Sequence, residues 1–175
     1  QPVSRLEPLD LREVVRASHA SVTGLLVSRH LDLRAELPDE PVVVLGESAY
    51  LERALTNLLS NAIKFTRDGG LVTTRLAVDD DRTCRLSVTD TGVGIPADEV
   101  QDVFQRFFRS SNVRADAIQG TGLGLSIVRS IVERHHGHID VASRQGEGTS
   151  FTITFPLAPA GAAPGAAAAL GVTPG

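Results

Sequence analysis

The sequence contains no methionine and no tryptophan, one tyrosine, and one cysteine, Cys84, among 175 residues. A lone cysteine excludes an intrachain disulfide, and no Cys/His spacing suits a metal, so a reducing, cytoplasmic setting is expected. No run approaches the roughly 18 apolar residues that a membrane span requires. The start, Gln1-Pro2-Val3-Ser4, has no initiating methionine and no signal-peptide pattern, so a piece of a longer protein is expected. Excess positive charge is also missing. Seventeen basic against 21 acidic residues leave a net charge of -4, which excludes the basic stripe that nucleic acid or an anionic membrane would need. Lysine is nearly absent: Lys64 stands alone beside 16 arginines.

What is present is 42% apolar residues, sufficient for one core. Leu11, Val14, Val15, Ser18, Val22, Leu25 and Leu26 recur at helical spacing after Asp10, a candidate N-cap, and predict a helix to about His30. Leu31 to Leu37 and Val42 to Leu45 read as strands. Leu51, Ala54, Leu55, Leu58, Leu59, Ala62 and Ile63 form an amphipathic helix. Leu71 to Val78 and Thr83 to Thr89 read as a hairpin, and Pro96 to Arg109 and Leu123 to His136 as helices. Ile139 to Ser143 and Thr149 to Phe155 are the final strands. The expected fold is α+β, a two-layer sandwich in which a mixed sheet of about five strands is covered on one face by three helices. One domain over residues 1–156 is expected, followed by an Ala/Gly/Pro-rich tail, 157–175, too poor in bulky side chains to order.

Three polar constellations interrupt this pattern. Asn57, Asn61 and Lys64, spaced by four and three residues, fall within roughly 60° of one another on a helix. They are either a solvated face or a stripe bordering a cleft, where an amide oxygen suits Mg²⁺ and a lysine suits phosphate. Asp90-Thr91-Gly92-Val93-Gly94-Ile95-Pro96 follows a strand whose alternation turns Asp90 toward the core. It is either a plain turn with a capping aspartate or a carboxylate awaiting a donor such as the adenine amine, with Gly92 and Gly94 letting the backbone approach the ring. Gly120-Thr121-Gly122-Leu123-Gly124-Leu125-Ser126 opens a helix and offers amides to phosphate, although Leu125 breaks the dinucleotide spacing. Gly146-Glu147-Gly148-Thr149 reads as a hairpin turn.

In order, NLLSNAIKFT from Asn57, DTGVGIP from Asp90, FQRFFR from Phe104, GTGLGLSIV from Gly120 and GEGTSFTITFP from Gly146 closely resemble the N box, first glycine box, F box, second glycine box and third glycine box of bacterial sensor histidine kinases. The resemblance covers about Leu45 to Pro156. It implies the ATP-binding fold shared with gyrase, heat-shock chaperones and mismatch-repair ATPases. It also implies ATP and Mg²⁺ as cofactors, Asp90 as the adenine reader assisted by Thr149, and Asn61 as the Mg²⁺ ligand. Lys64 and Arg109 match phosphate-contacting positions, and Asn57 a second polar N-box position. Phe65, Gly92, Gly94, Ile95, Gly120, Thr121, Gly122, Leu123, Gly124 and Leu125 complete the implied nucleotide site. Ser110 to Gly120 would be a mobile ATP lid.

In hydrolysing members of that superfamily the place of Asn57 is held by a glutamate that activates water. An amide takes no proton at neutral pH, so the implied acceptor is a neutral imidazole. The five histidines precede Ala20, Leu31, His136, Gly137 and Ile139, and none has the His-Glu or His-Asp start of the family's acceptor. The acceptor is therefore expected on a helical dimerisation domain of the parent protein, with a response regulator as downstream partner. The fragment is expected to be monomeric and the parent a membrane-anchored homodimer. An autonomous ATPase or serine kinase of the superfamily, and a non-catalytic nucleotide-binding module, are the alternatives. His135, His136 and His138 are expected in capping and surface roles rather than as metal ligands.

Overall fold

The computed structural model describes residues 5–106, 108, 111 and 124–165. Strand β1 (Glu7–Asp10) pairs antiparallel with β3 (Val43–Gly46) as a separate two-stranded ribbon, with Leu9 opposite Val44. The sequence pattern does not predict β1, because four residues containing Pro8 show no readable alternation. Asp10 ends the strand and caps helix α1 (Leu11–Val22), its carboxylate accepting from the Arg12 amide at 3.0 Å and the Val42 amide at 3.2 Å.

Helix α1 buries Leu11, Val14, Val15, Ser18 and Val22 and stops well short of His30, passing into a 3-10 turn at Thr23–Leu26. The apolar spacing continues there, but of its residues only Leu26 packs on the core, while Leu25 is 49% exposed and the following Val27 88%, too little burial to extend the helix. After β2 (Asp32–Glu36) and β3, helix α2 (Ser48–Phe65) buries all seven apolar residues of its predicted stripe and lies between α1 and the third helix, α3 (Gly124–Arg134). Fully burying a leucine such as Leu55, Leu58 or Leu59 is worth about 1.5–3 kcal/mol, which makes α2 the centre of the core.

Strands β4 (Leu71–Val78), β5 (Thr83–Asp90), β6 (His138–Arg144) and β7 (Gly148–Pro156) join β2 in a five-stranded sheet of order β2-β4-β5-β7-β6. Only the β2–β4 pair is parallel. Period-two alternation turns Val72, Leu76, Cys84, Leu86, Val88, Ile139, Phe151, Ile153 and Phe155 into the core beneath the helices. The opposite face carries Thr73, Arg75, Arg85, Ser87, Thr152 and Thr154. Cys84 is wholly buried, and burial pushes its thiol up to about 11, so it is a core residue rather than a nucleophile.

Three further expectations are corrected. Over Pro96 to Arg109, the described residues form a string of turns with one short 3-10 helix, Val100–Asp102. Their hydrogen bonds, Glu99 to Pro96, Asp102 to Glu99, Gln105 to Asp102 and Phe108 to Gln105, all span three residues. The segment is pinned by buried Val103 and by Phe104, which meets Phe151 edge-on at 6.0 Å. Leu157 and Ala158 do not begin an unordered tail: their amides donate to Arg82 O and Val43 O, each at 2.8 Å. His135 is not a surface residue. It is 2% exposed, its Nδ1 bonds Ile131 O at 2.7 Å, and its Nε2 accepts from the Glu47 amide at 3.1 Å, fastening the end of α3 to the start of α2. Residues 166–175 of the expected tail, and 110 and 112–120 of the expected lid, lie outside the described residues.

Candidate nucleotide site

Strand β5 ends in Asp90, whose inward register leaves it 8% exposed at the edge of the core. Burial raises its pKa, against the hydrogen bonds from the Gly92 and Thr149 amides, which favour the charged form. The Gly92 amide reaches Oδ1 at 2.8 Å. A buried carboxylate that holds its charge on two backbone amides is suited to accept from a ligand N–H group, because little water competes for it.

The loop beyond Asp90 is gathered from three sides. The Val93 amide donates to Phe65 O, at the end of α2, at 3.2 Å, and Val93 O accepts from the Gly146 amide in the β6–β7 turn at 2.7 Å. The Ile95 amide donates to Ser143 Oγ at 2.8 Å. Gly94 has φ +67°, and a Cβ there would stand 2.2 Å from Arg144 O, so both the dihedral and the close approach require glycine. A Cβ on Gly92 would lie 2.5 Å from Phe65 O.

Thr149, opposite Asp90 in the β5–β7 register, is also 8% exposed, and its Oγ1 lies 2.7 Å from Ser143 Oγ. Ser143 in turn donates to Gly148 O at 2.9 Å. The sequence reading does not select Ser143, although its signal was legible: Ile139, Val141 and Ser143 alternate on one face of β6. Ser143 joins the first and third glycine boxes, which makes it a supporting residue of the loop.

Above this floor, α2 carries Asn57 and Asn61, both partly buried, with Lys64 exposed one turn on and Phe65 partly buried at the helix end. Asn57 and Asn61 therefore border the core while Lys64 reaches solvent, and the last turn of α2 reaches the loop through Phe65. Gly124 and Leu125 form the first turn of α3, which packs on α2. The donor set fits a magnesium nucleotide: a buried acceptor for an amine, neutral amide oxygens for a hard cation and an ammonium for phosphate. Arg109, Gly120, Thr121, Gly122 and Leu123 lie outside the described residues.

Residues 46–159 match the family model described as histidine kinase-, DNA gyrase B-, and HSP90-like ATPase. The chain belongs to that ATPase family, and within it to the catalytic domains of sensor histidine kinases. Sensor histidine kinase TmoS of Ectopseudomonas mendocina is 40% identical over 154 residues, covering 87% of this chain and 16% of TmoS. The mycobacterial sensor histidine kinase MprB has a solved structure with a TM-score of 0.79 at 37% identity, covering 87% of this chain and 99% of that one. Full-length ShkA in complex with AMPPNP superposes with a TM-score of 0.76 at 29% identity, over 91% of this chain and 32% of ShkA. The chain thus spans under a third of ShkA and a smaller share of TmoS.

Proposed function

We propose that this chain binds Mg-ATP and transfers the γ-phosphate to a histidine on a separate helical dimerisation domain of a larger sensor kinase, in two-component signalling. The observation that carries the reading is Asp90, a carboxylate 8% exposed and fixed by the amides of Gly92 and Thr149 at the edge of the core. Asp90 accepts from the exocyclic amine of adenine, with Thr149 beside it and Gly92, Gly94 and Ile95 in the loop that admits the base. Asn61 supplies an amide oxygen to Mg²⁺, which would shield phosphate charge when bound. Lys64 and Arg109 hold the phosphates, and Asn57 adds a second polar contact on the same helix face.

Because Asn57 is an amide, it cannot take a proton from water. The nucleophile must arrive with its own lone pair, as a neutral imidazole does. Its nitrogen forms a bond to the γ-phosphorus while the bond from that phosphorus to the bridging oxygen breaks, and ADP leaves with the electron pair. Lys64 and Arg109 offset the charge that develops, and the rest is positioning. A response regulator would then receive the phosphoryl group. The parent is read as a membrane-anchored homodimer with this domain in the cytoplasm.

The deciding experiment mixes the chain with its parent's helical domain and labelled ATP. Acid-labile, alkali-stable phosphate on the helical domain is expected, together with feeble hydrolysis by the chain alone. Rapid hydrolysis by the chain alone, or acid-stable phosphoserine, would overturn the reading. Asn61→Ala should abolish the Mg²⁺-dependent part of nucleotide affinity.

A further inference from the structure

Helix α2 ends without a left-handed glycine to receive its last carbonyls, since its C-cap Thr66 is extended at φ -91°, ψ 132°. Other groups satisfy that turn. Ala62 O accepts from the Thr66 amide at 3.0 Å and from Thr66 Oγ1 at 2.6 Å. Ile63 O accepts from Arg29 Nη1 at 2.8 Å, and Arg29 Nη2 donates to Thr66 O. Phe65 O accepts from the Val93 amide at 3.2 Å. One arginine, from the connection between α1 and β2, therefore binds two carbonyls at the end of α2, beside the carbonyl from which the first glycine box hangs.

Arg29 is itself held in place. Its Nε donates to Asp68 Oδ1 at 3.1 Å, and the His30 amide donates to the same oxygen at 3.3 Å. The guanidinium, first, and the His30 amide hold the Asp68 carboxyl below the usual range. The two chain segments are also tied by their backbones, Gly69 N to His30 O and Asp32 N to Gly70 O. A planar guanidinium can bridge two carbonyls and a carboxylate at once, which an ammonium on a flexible stem cannot do with the same geometry. Arg29 belongs to none of the five sequence motifs.

We infer that Arg29 is a positioning residue for the nucleotide site. By fixing the last turn of α2 it sets where Asn61 and Lys64 stand relative to the Gly92–Gly94 loop, with Phe65 O as the shared link. The inference deepens the Mg-ATP reading and rests on it. Small misplacements of binding groups are costly because their contacts depend on geometry at the ångström scale.

The test uses the full 175-residue chain with Mg-AMPPNP as probe, at a temperature where each variant is folded by circular dichroism. Calorimetry gives the Kd, and amide hydrogen exchange gives the protection of Val93 and, as a reference in mid-β5, Leu86. Arg29→Ala should raise the Kd by about tenfold and speed exchange at Val93 but not at Leu86. Arg29→Lys should recover part of both losses. Asp68→Asn, which leaves the arginine in place, should shift both readouts the same way by about threefold. A lowered melting temperature with Kd and Val93 exchange unchanged would reduce Arg29 to a brace and overturn the inference. Should Arg29→Ala fail to fold, unchanged values in Asp68→Asn overturn it equally. Failure of the unmodified chain to bind Mg-AMPPNP overturns the nucleotide reading and this inference with it, whereas normal binding with indifferent variants overturns the inference alone.

Discussion

Gly148 and Gly146 are neighbours in one turn and both have positive φ, +132° and +84°, yet only Gly148 is crowded. A Cβ on Gly148 would stand 2.0 Å from Asp90 O and 2.9 Å from Asp90 C, whereas one on Gly146 meets nothing within 4 Å. Gly146→Ala should therefore cost only the left-handed preference, about 1 kcal/mol. Gly148→Ala adds a collision with backbone, which cannot rotate away as a side chain could. Relief requires β7 to part from β5 at the Asp90–Thr149 pair. Strain of about 1–3 kcal/mol, with one or two ladder bonds of about 1 kcal/mol each, gives a loss of roughly 2–5 kcal/mol. Urea unfolding followed by circular dichroism measures both variants, with a constant m-value as the check on comparability. Equal losses for the two alanines, within about 0.5 kcal/mol, would refute the argument that close approach, and not φ alone, demands glycine at Gly148.

Two further predictions concern pH. Burial raises the Asp90 pKa above 3.8, so the folded state holds that proton more tightly than the unfolded chain does. Its contribution to stability falls as pH rises from 3.8 through the folded pKa and is constant above it. Adenine affinity should run the other way, weakening as pH falls into that window because the amine needs an unprotonated acceptor. Titration of AMPPNP binding against pH should show this for the unmodified chain, and Asp90→Asn should bind weakly at every pH without the titration. His19, on α1, has its pKa lowered from 6.5 by burial, with Nε2 2.8 Å from Thr74 Oγ1. The unfolded chain takes up the proton first, so stability is full above pH 6.5 and is lost as pH falls below it toward the folded pKa. His19→Gln should flatten the urea midpoint between about pH 7.5 and 5.5, and an unchanged slope would rule out His19 as its source.

Much of the fold is legible because one helix and four strands have clean periodicity. All seven apolar residues predicted for α2 are buried, and the alternation of β5 turns Cys84, Leu86, Val88 and Asp90 inward as expected. The departures from sequence expectation share a cause: tertiary contact overrides local pattern. Leu25 keeps helical spacing but is 49% exposed, and Leu26 packs on the core from a 3-10 turn. Val103 and Phe104 have helical spacing too, yet they anchor a string of three-residue turns. His135 stands at the end of α3 as its position predicts, but it is buried rather than at the surface, with Nε2 accepting from the remote Glu47 amide.

The sequence by itself determined the family, the sheet-and-helix layering and the chemical types in the nucleotide site, because spacing of three, four and two residues maps onto helix and strand faces without knowledge of partners. Tertiary structure alone decided how those groups are held together. Asp90 gains the Thr149 amide from across the sheet, Ser143 accepts from the Ile95 amide, and Arg29 closes the end of α2. These are hydrogen bonds between segments distant in the chain, and no local pattern encodes which distant carbonyl or amide a side chain will meet.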